Sequence, residues 1–374
     1  MRSTRRGRPV KTRQIAALVL GAFATATIAS SALAESAGGG TWREIPGGPG
    51  TMCAAGTPYS FFFREGDPKR LMIFLDGGGA CWSPETCVKA PSFDGAVDST
   101  DIPRAGGILD FARAENPVRG FTVVDISSCT GDVYLGSRDV TYPVADSAGA
   151  EPRPVVIHHQ GAANTGAALN WVFQNVSHPD VVFVLGLSAG GIASPYYAAL
   201  IAEHYPKARV VQLGESAGGY RTPAVAVISS VWGVSDLLRQ KSAYRHVDST
   251  RMTWEYLYTH ASRAASRVHF AQVNSVEDAT QVRFLALAGV RDVPLRNLLA
   301  SDLADIRKVD PRFRSFTAPG AKHILLGTPE FYTLQVDGIT LRDWVAAHVA
   351  GRSVRNVGEG LLAAPPSGSH PPAK

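Results

Sequence analysis

The sequence predicts an α/β fold, with a doubly wound, mostly parallel sheet, helices on both of its faces and a helical cap insertion. Two observations predict this class. Short runs of β-branched and aromatic residues recur along the chain, which is typical of parallel strands buried on both faces. Each run is followed by glycine or polar residues and then by a helical stretch, so strands and helices alternate. Ligands of such sheets gather at the carboxyl ends of the strands.

The expected elements follow in chain order. An antiparallel strand at residues 59–63 precedes the parallel strands, which are expected at residues 71–75, 121–124, 181–185, 210–213, 268–273 and 313–316. Amphipathic stretches predict covering helices at residues 165–174, 195–205 and 341–349. Residues 221–262 are rich in tryptophan and tyrosine, and we interpret them as a cap over the pocket.

Both ends of the chain differ in composition from the domain expected at residues 51–351. Residues 1–34 carry basic residues before an uncharged apolar run that ends in Ala-Leu-Ala, which predicts a cleaved signal peptide. An uncleaved anchor is the alternative, because about 20 apolar residues can span a bilayer. The pair Arg5-Arg6 leaves twin-arginine export open beside Sec. Residues 35–50 are expected to form a flexible lead-in, and the Pro-rich residues 352–374 a disordered tail.

The leader also accounts for the basic charge of the chain. The sequence has 37 basic and 32 acidic residues, and all six charged residues of the leader are basic. The mature chain is left with 31 basic residues against 32 acidic ones. The charge of the mature chain therefore does not indicate a nucleic acid or a membrane as its partner. We expect a secreted or periplasmic monomer.

Four cysteines in an exported chain predict up to two disulfides rather than a metal or redox site. Cys81 and Cys87 are close in sequence and could close a short loop, which leaves Cys53 and Cys129 as the second pair. Three pairings are possible for four cysteines. The adjacent His158-His159 points in two directions on any element, so we expect no metal site.

The segment Gly186-Leu187-Ser188-Ala189-Gly190 directly follows a predicted strand and precedes a helix. This strand–turn–helix context is the one that a G-x-S-x-G nucleophile elbow requires. The tight turn needs small flanking residues and lifts the serine hydroxyl above the sheet edge. A helix N-terminus beneath it favours an oxyanion. Ser188 is therefore the predicted nucleophile.

A second G-x-S-x-G match, Gly214-Glu215-Ser216-Ala217-Gly218, also follows a strand. Pro223 comes soon after these glycines, so a helix begins poorly there. Ser216 is the rival nucleophile, and its expected place is in the lining of the pocket.

A glycine-rich segment ends the first long buried strand. The N–H groups of Gly78 and Gly79, with that of Ala189 after the nucleophile, are the predicted oxyanion hole. A phosphate-binding loop is the alternative, but the segment lacks both the Lys-Ser/Thr ending and the G-x-G-x-x-G spacing. Trp82 is expected to roof the site.

The order Ser, Asp, His along the chain selects the other two residues of a triad. Among ten histidines, His323 follows the last predicted strand through a short loop, and it is the predicted general base. Asp278 follows the preceding strand in the same way and is the predicted orienting acid, with Glu277 as its rival. Asp132 is a further pocket candidate, for which a structural role is the alternative.

Together these motifs resemble the pectin acetylesterase/Notum family of α/β-hydrolases, from about Cys53 to Trp344. The likeness is carried by Phe-Leu-Asp-Gly-Gly-Gly-Ala-Cys-Trp, Ser-Cys-Thr-Gly-Asp, Gly-Leu-Ser-Ala-Gly-Gly, Glu-Asp-Ala-Thr-Gln and the late histidine. The resemblance implies a cofactor-free serine esterase whose partner is an ester substrate. It also implies Ser188, Asp278 and His323 as its triad.

This chain departs from the family in the acyl-pocket region. Plant and animal members have an aromatic residue after the paired glycines, where this chain has Gly79-Ala80, and they have more cysteines. Removal of O-acetyl groups from a polysaccharide such as pectin is the leading hypothesis. The alternatives are hydrolysis of short-acyl, lipid or polyester substrates, acyl transfer to another acceptor, and a non-catalytic secreted binding protein.

Overall fold

The computed structural model describes residues 40–145 and 151–363 of the chain. The predicted signal peptide, residues 35–39 of the lead-in and residues 364–374 of the tail lie outside the described residues. Within the described ranges, no helix combines the length and the apolar character that crossing a membrane requires.

The centre of the fold is an eight-stranded sheet. In spatial order its strands are β1 (Trp42–Pro46), β2 (Ser60–Arg64), β4 (Phe121–Ile126), β3 (Asp67–Leu75), β7 (Val181–Leu187), β8 (Arg209–Glu215), β9 (Ala271–Ser275) and β10 (Arg314–Ala318). Strand β2 runs antiparallel to both of its neighbours, and the remaining pairs are parallel. Two antiparallel hairpins lie apart from this sheet, β5 (Arg138–Val144) with β6 (Arg153–His159) and β11 (Gln335–Val336) with β12 (Ile339–Thr340).

Helices connect and cover the strands. They are α1 (Gly161–Asn175), α2 (Ala189–His204), α3 (Pro223–Trp232), α4 (Val234–Arg239), α5 (Glu255–Ala264), α6 (Ala279–Leu287), α7 (Leu295–Val309), α8 (Glu330–Thr333), α9 (Leu341–Val349) and α10 (Glu359–Ala363). A π-helical turn spans Glu85–Lys89, and 3₁₀ turns span Gly107–Leu109, Ser242–Tyr244 and Ser249–Arg251.

Strand β3 shows how the sheet is buried on both faces. Leu71, Ile73 and Leu75 belong to the hydrophobic core on one face, whereas Met72 and Phe74 belong to the core on the other. Successive side chains of a strand point to opposite faces, so a strand between two helical layers needs apolar residues at every position. Burial on both faces therefore explains why the apolar run of β3 is continuous.

The predicted fold class is confirmed, including the antiparallel strand before the parallel set. Each of the six runs expected to be parallel lies within a strand of the sheet or overlaps one, and α9 has the expected bounds. The β5–β6 hairpin was missed. Its buried residues Tyr142, Val144 and Ile157 pack away from the main sheet, against the Cys81–Cys87 disulfide. The alternating burial of this hairpin gives no continuous apolar run.

Two expectations about the chain ends are wrong for the residues that the structure describes. Residues 42–46 of the predicted flexible lead-in form β1, which pairs with β2 at the edge of the sheet. Residues 352–363 of the predicted disordered tail include α10, and Val357 is fully buried beside β10. Both segments are ordered by tertiary contacts rather than by apolar content of their own.

Residues 221–262, interpreted as a cap, contain α3, α4 and α5. Trp232 of α3 stacks on Trp254 just before α5, with ring planes 10° apart. Its indole N–H donates to the Cys81 carbonyl at 2.8 Å, which joins this segment to the glycine-rich loop after β3.

The cysteines form the two pairs considered above, Cys53–Cys129 and Cys81–Cys87. They lie 76 and 6 residues apart in sequence, respectively. The first ties the segment before β2 to the end of β4, and the second closes the loop that follows the predicted oxyanion glycines.

Removing the two disulfides is expected to lower the free energy of unfolding by different amounts. Because a longer closed loop restricts the unfolded chain more, replacing Cys53 and Cys129 by alanine should cost about 4 kcal/mol of unfolding free energy. The same change at Cys81 and Cys87 should cost about 2 kcal/mol. Urea denaturation of both double variants measures this. A larger loss for the Cys81–Cys87 pair would contradict the prediction.

Candidate active site

Ser188 lies at the tight turn between β7 and α2. Its φ of +50° is uncommon for a residue other than glycine. A side chain at Gly186 would approach the Gly190 carbonyl oxygen to 2.2 Å, and one at Gly190 would approach the Leu75 carbonyl oxygen to 2.1 Å. The strained turn therefore requires glycine on both sides. Such strain persists where the surrounding structure fixes it, commonly at functional sites.

His323 and Asp278 form a close pair beside this turn. Nδ1 of His323 lies 2.8 Å from Oδ2 and 2.9 Å from Oδ1 of Asp278. The Asp278 side chain is completely buried, whereas that of His323 is partly exposed. Because Nδ1–H donates to the carboxylate, Nε2 is left as the hydrogen-bond acceptor.

The Asp278 carboxylate is held by further bonds. It is the N-cap of α6, and its Oδ1 accepts from the backbone N–H groups of Thr280 and Gln281, each at 3.0 Å. The backbone of its loop also pairs with the loop before His323, since the Ala279 N–H donates to the Ala321 carbonyl at 2.9 Å. Acid and base are thus fixed relative to each other by two loops at the carboxyl ends of β9 and β10.

The glycine-rich loop after β3 has a backbone that other residues cannot adopt easily. Gly78 has a φ of +145° and Gly79 a φ of +68°. A side chain at Gly79 would meet the Ser92 carbonyl oxygen at 2.1 Å. In the part of the chain that the structure describes, no acceptor is paired with the N–H of Gly79 or Ala189, and both residues line one cavity with Ser188. This arrangement is suited to an oxyanion hole.

Two cavities meet at Ser188. One, of about 50 Å³, is mostly apolar, and it is lined among others by Trp82, Val133, Ile192, Val225, Ile228, Trp232, Trp254 and Phe284. The other is a groove of about 420 Å³ with a mixed lining, in which Asp76, Ser92, Asp94, Thr280, Arg283 and His323 lie beside apolar residues such as Phe93, Leu187 and Ile324. Gly79 and Phe284 line both. The serine thus has a small apolar space on one side and a larger space of mixed polarity, with the histidine, on the other.

Of the remaining predicted site residues, some line a cavity at Ser188 and others do not. Trp82 lines the apolar cavity, as expected. Ser216 and Asp132 line neither of these two cavities. Asp132 is fully buried and structural, accepting hydrogen bonds from the Thr130 hydroxyl and the Gly161 N–H. The rival acid Glu277 forms an ion pair with Arg296.

Sequence reasoning missed several residues of the apolar cavity. Ile192 and Phe284 lie on helices whose apolar positions look like ordinary core residues. Phe284 follows Asp278 by six residues on α6, the helix capped by the predicted acid. That spacing, about 1.7 helical turns from the cap, is the signal in the sequence that could have identified Phe284.

Cys81, Cys87 and His159 come within 4.8 Å of one another. The two cysteines are joined as a disulfide, so neither offers a thiolate to a metal ion. The His159 ring is held by the Thr130 carbonyl at 2.9 Å and the Tyr142 hydroxyl at 3.1 Å. This cluster is a structural contact between the hairpin and the glycine-rich loop.

The strand order, the sharp turn at Ser188 after the fifth strand of the sheet and the loops at the carboxyl ends define an α/β-hydrolase. The pectinacetylesterase family matches residues 45–231. The chain therefore belongs to the pectinacetylesterase family, a family of carboxylesterase-type hydrolases, as the sequence motifs indicated.

Two relatives carry Notum names. The chain is 34% identical over 95 residues to palmitoleoyl-protein carboxylesterase notum2 of Xenopus laevis, covering 24% of this chain and 20% of that protein. It is 33% identical over 118 residues to inactive palmitoleoyl-protein carboxylesterase notum1b of Danio rerio, covering 30% of this chain and 76% of that protein. The chain thus spans about a fifth of the first relative and three quarters of the second.

Proposed function

We propose that this protein is a secreted serine esterase in which Ser188 is the nucleophile, His323 the general base and Asp278 the orienting acid. The observation that carries the proposal is the position of Ser188, at the meeting point of two cavities with the hydrogen-bonded His323–Asp278 pair at one of them. Two disulfides favour an oxidising compartment outside the cytosol.

The proposed reaction has two steps. The Ser188 hydroxyl attacks the ester carbonyl carbon while Nε2 of His323 takes its proton, and the tetrahedral oxyanion accepts hydrogen bonds from the Gly78, Gly79 and Ala189 N–H groups. The C–O bond to the alcohol then breaks, and His323 returns the proton to the leaving oxygen. Water, deprotonated by His323, attacks the acyl carbonyl; the bond to Ser188 Oγ then breaks, His323 returns the proton to Oγ, and the carboxylic acid and free Ser188 are released.

The two cavities suggest which part of the ester goes where. A cavity of about 50 Å³ has room for a few heavy atoms, since a single water needs about 10–15 Å³, and drug-sized ligands need about 300–1,000 Å³. It therefore fits a short acyl group. The groove carries the carboxylates of Asp76 and Asp94 and the guanidinium of Arg283, which suit a polyhydroxylated alcohol. We therefore propose removal of O-acetyl groups from a polysaccharide such as pectin.

Acyl selectivity tests this assignment. With p-nitrophenyl esters of increasing length, kcat/KM is expected to be highest for acetate and to fall roughly tenfold or more for each step that exceeds the cavity. Phe284→Ala, which removes part of the cavity wall, should raise kcat/KM for hexanoate relative to acetate by about tenfold.

The matched control is Val282→Ala, because Val282 lies on the same helix but is exposed and lines neither cavity. It should leave the selectivity unchanged. Activity confined to long acyl chains in the unmodified protein would contradict the deacetylase proposal and favour a lipid or polyester substrate. Release of acetate from acetylated pectin then tests whether the groove accepts a polysaccharide as the alcohol part of the ester.

A second candidate function is a non-catalytic binding protein on the same fold. The observation that favours it is the name of the Danio rerio relative, which is described as inactive. Labelling by a fluorophosphonate probe separates the two candidates, because only a serine activated by a base reacts. A folded chain that takes up no label would support the binding protein.

A further inference from the structure

The second G-x-S-x-G segment, Gly214–Gly218, has no part in the reaction proposed above, yet it lies against both halves of the site. Glu215 is the last residue of β8, next to β7, and its side chain is fully buried. It lines neither cavity. Its contacts nevertheless reach the nucleophile turn on one side and the loop of the base on the other.

Towards the nucleophile, the contact is made by the backbone. The Ser188 N–H donates to the Glu215 carbonyl at 2.8 Å. A side chain at Gly191 would come within 2.6 Å of the same carbonyl oxygen. The end of β8 is therefore packed directly against the strained turn that presents the serine.

Towards the base, the contact is made by the side chain. The Glu215 carboxyl group accepts from the backbone N–H of Leu325 and from that of Leu326, the latter at 3.0 and 3.1 Å to its two oxygens. These are the second and third residues after His323. The Ser216 hydroxyl also accepts from the Ile324 N–H, but at 3.4 Å, which is a long hydrogen bond.

The loop that carries His323 needs such support. Ile324 has a φ of +67°, which is an outlier for a β-branched residue. A strained conformation of this kind persists only where surrounding contacts fix it. Leu326 is held from the other side as well, since its carbonyl accepts from the Ile108 N–H at 2.7 Å. The carboxyl group of Glu215 is the side-chain contact that fixes the two N–H groups next to the strained residue.

We propose that Glu215 is a positioning residue that holds the His323 loop in register with the Ser188 turn through its side-chain bonds to Leu325 and Leu326. This proposal rests on the proposed esterase function for its kinetic part. Its structural part, the restraint of residues 324–326, is independent of turnover.

The charge state of Glu215 indicates which substitutions are informative. Burial raises its pKa to about 8, which the two N–H donors oppose and the nearby Asp278 carboxylate reinforces. Near pH 7 the carboxyl group is therefore mostly neutral, and one of its oxygens can still accept both hydrogen bonds. Glutamine keeps the same reach and an uncharged acceptor oxygen, whereas aspartate keeps the carboxyl group and shortens the side chain by one methylene.

The test compares Glu215→Gln, Glu215→Asp and the control Ser216→Ala. We expect Glu215→Asp to lower kcat for p-nitrophenyl acetate about a hundredfold with KM changed less than about threefold, because misplacing a catalytic group by about 1 Å has an effect of this size. Glu215→Gln should stay within about tenfold of the unmodified protein, and Ser216→Ala should be close to it.

Hydrogen–deuterium exchange of the peptide that contains residues 323–328 provides the second measurement, with thermal unfolding to confirm that each variant is folded. Faster exchange in Glu215→Asp than in Glu215→Gln would support the proposal. Equal exchange in both, a loss of activity expressed in KM, or a Glu215→Gln variant as impaired as Glu215→Asp would overturn it. An unmodified protein without any turnover would instead contradict the proposed function, and the exchange result would still decide the role of Glu215.

Discussion

Replacing Ser188 by alanine is expected to lower kcat for ester hydrolysis by a factor of about 10⁴ to 10⁶, with no loss of folding stability. The change removes one oxygen atom from a turn whose backbone is fixed by Gly186, Gly190 and the Glu215 carbonyl. Residual activity would come from the oxyanion hole and substrate binding alone. Initial rates with p-nitrophenyl acetate measure the effect.

Fluorophosphonate labelling with peptide mapping makes the same test independent of substrate choice. The label should appear on the Ser188 peptide and disappear in Ser188→Ala. Ser216→Ala is the matched control, because Ser216 also follows a strand, has a φ of +53° and lies in a G-x-S-x-G segment. It should keep both the label and the activity. Label on Ser216, or activity that survives in Ser188→Ala, would refute the assignment of the nucleophile.

Changing Asp278 to asparagine should lower kcat by about 10⁴ while KM changes little. The amide side chain cannot accept the Nδ1–H of His323 as a carboxylate does, so the imidazole loses its preferred tautomer and its charge stabilisation. Asparagine is also a good N-cap, so it can keep the bonds from Thr280 and Gln281 that begin α6. The loss of rate should therefore come without a change in the unfolding midpoint.

Glu277→Gln is the control for this experiment. Glu277 is adjacent in sequence but pairs with Arg296 rather than with His323. Its substitution should leave kcat within a few fold of the unmodified protein. A greater loss in Glu277→Gln than in Asp278→Asn would mean that the orienting acid has been assigned to the wrong residue.

Much of this fold can be predicted from the sequence, because its central strands are buried on both faces. Burial on both faces demands an apolar residue at every position, as in β3, and that produces runs that are visible without a structure. The edge strand β1 and the β5–β6 hairpin have partly exposed faces, so their composition gave no such signal. The segment at residues 352–363 is ordered by contacts with β10 and α7, which are distant in sequence.

The candidate triad was predicted from chain order and local context, and the close pairing of His323 with Asp278 agrees with that prediction. Local context suffices for these residues, because each one follows the end of a strand directly or through a short loop, and strand ends in a parallel sheet lie at one edge. Much of the pocket could not be predicted in this way. Apart from Trp82 and the predicted cap, its walls come from residues such as Ile192 and Phe284, which are far apart in sequence and are brought together by helix packing.

The two G-x-S-x-G segments show most clearly what can be predicted from the sequence and what only the tertiary structure shows. The sequence by itself determined that Ser188 has the context of a nucleophile, because glycines, strand and helix are all local features. The sequence could not assign a role to the second segment, because that role depends on which distant N–H groups face the Glu215 carboxyl group. The tertiary structure places the Leu325 and Leu326 amides there. Hydrogen bonds between residues more than a hundred positions apart leave no pattern in the sequence, so only the folded chain decides them.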